Sequence, residues 1–165
     1  MSSEEHEPLE KSVDHLLEEC RMVLPGVQAL FGFQLIAVFN QVFFERLGAA
    51  ERVLHLVALF LTAVATAMLM APAAYHRQAE PRAVSERFLA YADVLLTGAM
   101  VPLMFGLSID LYIIAMLVLG STVGGVLVAA TLFAICAVLW FVIPRARRLA
   151  PVRSRPRAPD GGTNP

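Results

Sequence analysis

Residues 88–143 form 56 consecutive positions in which the only charges are Asp93 and Asp110. One helix of that length would measure about 84 Å at 1.5 Å per residue, against a bilayer hydrocarbon core of about 30 Å. The run therefore predicts two crossings with a turn between them. Ser108-Ile109-Asp110 and Gly120-Ser121-Thr122 are the two places that could turn. Turning at Ser108 would leave a last span of about 33 residues, more than a crossing of about 20 needs. Turning at Gly120 gives spans 88–119 and 123–143, and this is the predicted arrangement. Asp110 then falls in the outer part of the third span. Pro102, which has no N–H to give to the helix ladder, is predicted to kink that span.

The first half of the chain supplies two more spans. Residues 22–44 and 53–74 are apolar, and the short charged segment ERLGAAER joins them into an antiparallel hairpin. Ahead of them, Leu9, Val13, Leu16, Leu17, Cys20 and Leu24 recur at helical spacing with acids between. Residues 9–21 therefore predict an amphipathic helix at the membrane surface, packed on its own bundle or on a neighbouring subunit. Residues 1–8 and the Pro-, Arg- and Gly-rich tail 149–165 predict disorder. The expected fold class is all-α: an integral membrane four-helix bundle, one domain over 9–148, with an amphipathic leader and a basic tail. At 58% hydrophobic and 16% charged, the composition departs from the roughly 25% charge of soluble domains in the direction this requires.

Charge placement orients the bundle. Four spans put the N-terminus, the middle loop and the C-terminus on one side. Those segments hold Lys11 and Arg21, then Arg77, Arg82 and Arg87, then Arg145, Arg147, Arg148, Arg153, Arg155 and Arg157. The other side has Arg46 and Arg52. Eleven positives against two predict both termini on the cytoplasmic face of a bacterial plasma membrane. The acidic start lacks the early apolar core of a signal peptide.

Two segments, read together, carry a family likeness. EECRMVLPGVQALFGFQL, residues 18–35, has an arginine, then Leu-Pro-Gly, then Gln28 and a Leu-Phe pair. APAAYHR, residues 71–77, closes the second span. In this order they resemble a bacterial family of short polytopic membrane proteins of unknown function, some of whose members carry the label sodium:proton antiporter. The likeness covers residues 16–143. It implies a four-helix membrane protein and carries over no catalytic or binding residue.

Polar side chains inside the spans are the candidate functional residues, since each needs a partner or a wet path. Gln34, Gln41 and Glu45 share one face of the first span, with Gln28 on another. The second span carries His55, Thr62 and Thr66 on one face, and the third Asp93, Thr97 and Ser108. These read either as interhelical glue or as a seam serving ions or protons. Asp93 and Asp110, 17 residues and about 25 Å apart along a helix, cannot form one site within a subunit. His55 reads as a solvated or paired histidine near Glu51 and Glu45, with a pH-sensing role open to it.

At the cytoplasmic edge, Arg21, Tyr75, His76, Arg77 and Asp93 form a possible cluster. Pro72 is expected in the last turn of the second span, and a Tyr75–Asp93 contact is the specific expectation there. Gly120, Gly124, Gly125 and Ala129 let the fourth helix approach a neighbour closely, either within the monomer or across a homo-oligomer seam. Cys20 and Cys136 lack the spacing of a metal site or a disulfide pair.

No nucleophile–base pair, glycine-rich phosphate loop or His-rich cluster is present, so no catalytic, cofactor-binding, metal or nucleic-acid-binding residue is named. The function expected is a non-enzymatic structural or regulatory membrane component that self-associates in the lipid bilayer. The alternative is a small oligomeric transporter or channel, with cation/proton exchange as its most specific form.

Overall fold

The structure, a computed structural model, describes residues 3–79 and 85–149. The chain is built from helices: α1 Ser3–Val38, α2 Gln41–Arg46, α3 Ala49–Ala79, α4 Glu86–Leu119, α5 Thr122–Ala137, a π-helical turn Val138–Val142, and α6 Ile143–Leu149. Among the described residues, four stretches are long and apolar enough to cross a membrane: Glu18–Val38, Ala49–Ala79, Glu86–Leu119 and Thr122–Arg147. The architecture is an all-α bundle of the membrane type. The tail beyond Leu149, where disorder was expected, lies outside the described residues.

The turn between the last two crossings falls at Gly120–Ser121. Gly120 takes φ 61° and ψ 23°, a left-handed cap that glycine adopts without steric cost. Ser121 then caps α5, its Oγ accepting from the Gly124 amide at 3.2 Å. Ser108 and Asp110 lie inside α4, whose 34 residues would measure about 51 Å and so outreach the hydrocarbon core.

Several boundaries differ from those expected. The leader and the first span are one continuous helix beginning at Ser3, so residues 3–8 are helical where disorder was expected. The first span ends at Val38 rather than at 44. The Asn40 side chain accepts from the Val42 amide at 3.1 Å and starts a new short helix, α2. That break removes Gln41 and Glu45 from the face of Gln34, and both are exposed.

The α3 helix runs to Ala79, so Pro72 sits in the helix interior, fully buried, and not in the last turn. The final span does not stop at 143. Pro144 cannot donate to the Trp140 carbonyl, and its ring crowds that group. The helix widens over the preceding turn, with the Ile143 amide reaching the Val138 carbonyl five residues back, and then continues.

The α3–α4 pair forms the centre, α1 leans on α3, and α5 packs on α4. Small residues set the close approach: Ala58, Thr62 and Ala65 of α3 are wholly buried. A Cβ on Gly106 of α4 would lie 3.1 Å from Thr62 Oγ1 and 3.2 Å from the Ala58 carbonyl. Gly125 is likewise used within the chain, where a Cβ would meet the Tyr112 carbonyl of α4 at 3.0 Å. Gly120 has open space around it.

The hydroxyls of the centre bond their own helices: Thr62 to the Ala58 carbonyl, Thr66 to that of Thr62, and Ser108 to that of Met104. Each is thereby satisfied within its own helix.

Candidate functional site

The polar residues that do converge lie at the end of the bundle where α1 passes into α3. Gln34 is four residues before the end of α1, and His55 is six after the start of α3. Asp110 is ten residues before the Gly120 turn, about 15 Å at helical rise. Because neighbouring helices run antiparallel, all three reach a similar depth. The Asn40 break folds α2 back, so that the Phe43 ring meets the His55 ring edge-on, centroids 5.1 Å apart.

Gln34 and His55 are only 4% and 7% exposed, and the Asp110 side chain 15%. The Gln34 side-chain amide donates to Asp110 Oδ2. His55 Nε2 lies 3.0 Å from the Gln34 backbone carbonyl, and His55 Nδ1 lies 3.3 Å from Asp110 Oδ1. That last contact has ion-pair length without hydrogen-bond alignment, and Asp110 Oδ1 and Gln34 Oε1 are buried acceptors without a hydrogen bond.

This geometry constrains where hydrogens sit. A carbonyl only accepts, so Nε2 carries a hydrogen. Nδ1 then faces a carboxylate oxygen, and two bare lone pairs at that distance repel. A proton placed between Nδ1 and Oδ1 relieves that contact, and either atom is able to hold it. The two unpaired atoms are both acceptors, so a proton donor or a cation is what they can take up.

The group forms the polar floor of a cleft of about 340 Å³, whose other walls are largely apolar, including Phe33, Leu47, Ile113 and Leu117. Farther in, Ala58, Thr62 and Ala65 close the bundle.

His55, expected at the surface near Glu51 and Glu45, is instead buried on Asp110 and Gln34. Placing the end of the first span six residues late had set Gln34 about 9 Å too deep to meet it. Phe43 was not among the candidates. Gln28 and Gln41 are exposed and stand apart from the group.

The remaining candidates occupy the opposite end. Tyr75 stacks on Phe88, centroids 5.8 Å apart, and lies 5.1 Å from the Tyr91 ring. Asp93, the partner expected for Tyr75, lines a separate groove with His15 and Glu19. His76 lies 5.5 Å from the same Phe88 ring, and its Nδ1 is buried without a hydrogen bond. Arg21, His76 and Arg77 line a common cleft between α1 and α3.

A family model described as a family of unknown function (DUF6328) matches residues 2–144. It agrees with the likeness drawn from the segments at 18–35 and 71–77, and it leaves 145–165 outside. No curated protein and no solved structure matches the chain.

Proposed function

The chain belongs to the DUF6328 family of unknown function, and we propose that it is a non-enzymatic membrane component regulated by proton binding at His55 and Asp110, which the Gln34 amide holds in place. One observation carries this reading: a buried histidine–carboxylate contact, His55 Nδ1 3.3 Å from Asp110 Oδ1, at the floor of a cleft. Imidazole is the side chain whose charge changes near neutrality, and an intramembrane carboxylate beside it is costly to keep without a role. The groups around the pair are few. Gln34 faces it from α1, Phe43 from α2 and Asp110 from α4. On its own helix, Glu51 and Arg52 lie one turn earlier, with Arg52 bonded to the Gly48 carbonyl.

The charge count supports a plasma-membrane orientation with both termini in the cytoplasm, which places the cleft on the outer side. A reporter fused to the C-terminus is expected to be active in the cytoplasm. Activity on the outer face would invert the site. Self-association belongs to the same proposal, and light scattering on the purified protein that returned only monomer would remove it.

Cation/proton exchange is the second reading, favoured by the two unpaired oxygen acceptors, a donor type that hard cations prefer. Against it stands the apolar centre at Ala58 and Ala65 and the self-bonded hydroxyls beyond the site. Proteoliposomes separate the two. A regulatory proton site predicts no sodium-dependent change in lumenal pH. A change that Asp110→Asn abolishes would overturn it in favour of exchange.

A further inference from the structure

A second cleft opens at the other end of the bundle, between α1 and the C-terminal turns of α3, with a volume of about 810 Å³. Its lining is graded along the helix axes. Arg21 and Arg77 stand toward the end of the bundle, Leu24 and Ala73 come about one turn in, and Leu69 and Met70 lie farther along α3. The antiparallel run of α1 and α3 produces this order. Both helices carry their basic residues at the same end, and both continue inward with apolar residues.

Among the described residues no carboxylate lines this cleft, and neither guanidinium has an ion pair. Glu19, close in sequence to Arg21, lines the separate groove with His15 and Asp93. His76, a third basic side chain of the wall, has its buried Nδ1 without a hydrogen bond. A paired cationic mouth over an apolar floor fits a ligand with an anionic head and a hydrocarbon tail. Guanidinium groups match phosphate oxygens in geometry as well as charge. Basic clefts between membrane helices are where anionic headgroups lodge. A free phosphate would use the mouth and leave Leu69 and Met70 uncovered.

We propose that this cleft binds one anionic phospholipid, its phosphate between Arg21 and Arg77 and an acyl chain along Leu24, Leu69 and Met70. The negative end of the α3 dipole opposes an anion here, so the preference depends on the two arginines and not on the helix end.

The test is lipid retention read by native mass spectrometry, after the full-length protein is exchanged into mixed phosphatidylglycerol and phosphatidylcholine nanodiscs. Two arginines near a surface, at about 1 kcal/mol each, give an expected preference of about 30-fold for phosphatidylglycerol in wild type, at about 1.4 kcal/mol per tenfold. Arg21→Gln with Arg77→Gln is expected to bring that ratio close to one. Both side chains are exposed, so the fold should survive, as a melting curve will verify. Ala73→Trp, which fills the floor, is expected to lower retention of both lipids.

An unchanged preference in the double variant would overturn the proposal. So would displacement of phosphatidylglycerol by excess inorganic phosphate together with full retention in Ala73→Trp, since that pair of results describes a free-anion site.

Discussion

Asp110→Ala is expected to destabilise the folded protein by about 2 kcal/mol or more, the cost of leaving two buried polar groups without their partner. An ordinary hydrogen bond between membrane helices contributes far less, about 0.6 kcal/mol on average. The difference lies in what is left behind. Asp110 meets both the Gln34 amide and the His55 ring, and its loss strands two buried polar groups in an apolar surround. Replacing the group together, Asp110→Leu with His55→Phe and Gln34→Leu, should recover most of the loss, because no stranded polar side chain remains. Reversible unfolding in mixed lipid–detergent micelles measures both. A single-variant cost near 0.6 kcal/mol would make Asp110 ordinary glue and leave the site without its special character.

The second large effect lies at the opposite end. Phe88 is wholly buried, with Leu16 and Leu89 packed around it and Ala92 beside it. Tyr75 and His76 both rest on its ring. Phe88→Ala is expected to cost about 3–5 kcal/mol, the range for emptying a buried aromatic site. Phe88→Leu, which keeps most of the volume, should stay below about 1.5 kcal/mol. The same unfolding experiment decides. A cost under about 1 kcal/mol for Phe88→Ala would mean that the aromatic group at the end of α3 is a surface contact and does not hold α3 to α4.

How far the sequence carried differs by element. The two crossings in 88–143 follow from length alone, because 34 residues of α4 and the following span cannot fit as one helix. The turn at Gly120 follows from the same arithmetic, and the left-handed cap there is chemistry that glycine announces. The end of α1 was not legible. Phe39, Val42, Phe43 and Phe44 continue the apolar run, and only the capping bond from Asn40 to the Val42 amide interrupts it. Asparagine inside an apolar stretch was the available signal.

That one boundary hid the site. Asp110 was visible as a carboxylate in the outer part of the third span, and His55 as a surface histidine at the outer end of the second. Their joining by Gln34 and the closure of Phe43 over the ring depend on where α1 ends. The small residues of the last span illustrate a different limit. Sequence spacing shows that Gly125 permits close approach, but whether the neighbour is α4 or another copy depends on the rotation of α5. The structure sets Gly125 against the Tyr112 carbonyl of the same chain. The motif APAAYHR, which pairs a tyrosine, an imidazole and a cation, is a packing element on Phe88 and one wall of a basic cleft.

The most direct measurement is nitrogen-15 NMR of the His55 ring in lipid nanodiscs, across the neutral pH range, in wild type and in Asp110→Asn. The geometry predicts that Nε2 keeps its hydrogen, held by the Gln34 carbonyl, and that the Nδ1 signal senses Asp110, a signature that Asp110→Asn removes. An Nε2 that loses its hydrogen, or an Nδ1 titration identical in the two proteins, would contradict a proton-holding pair.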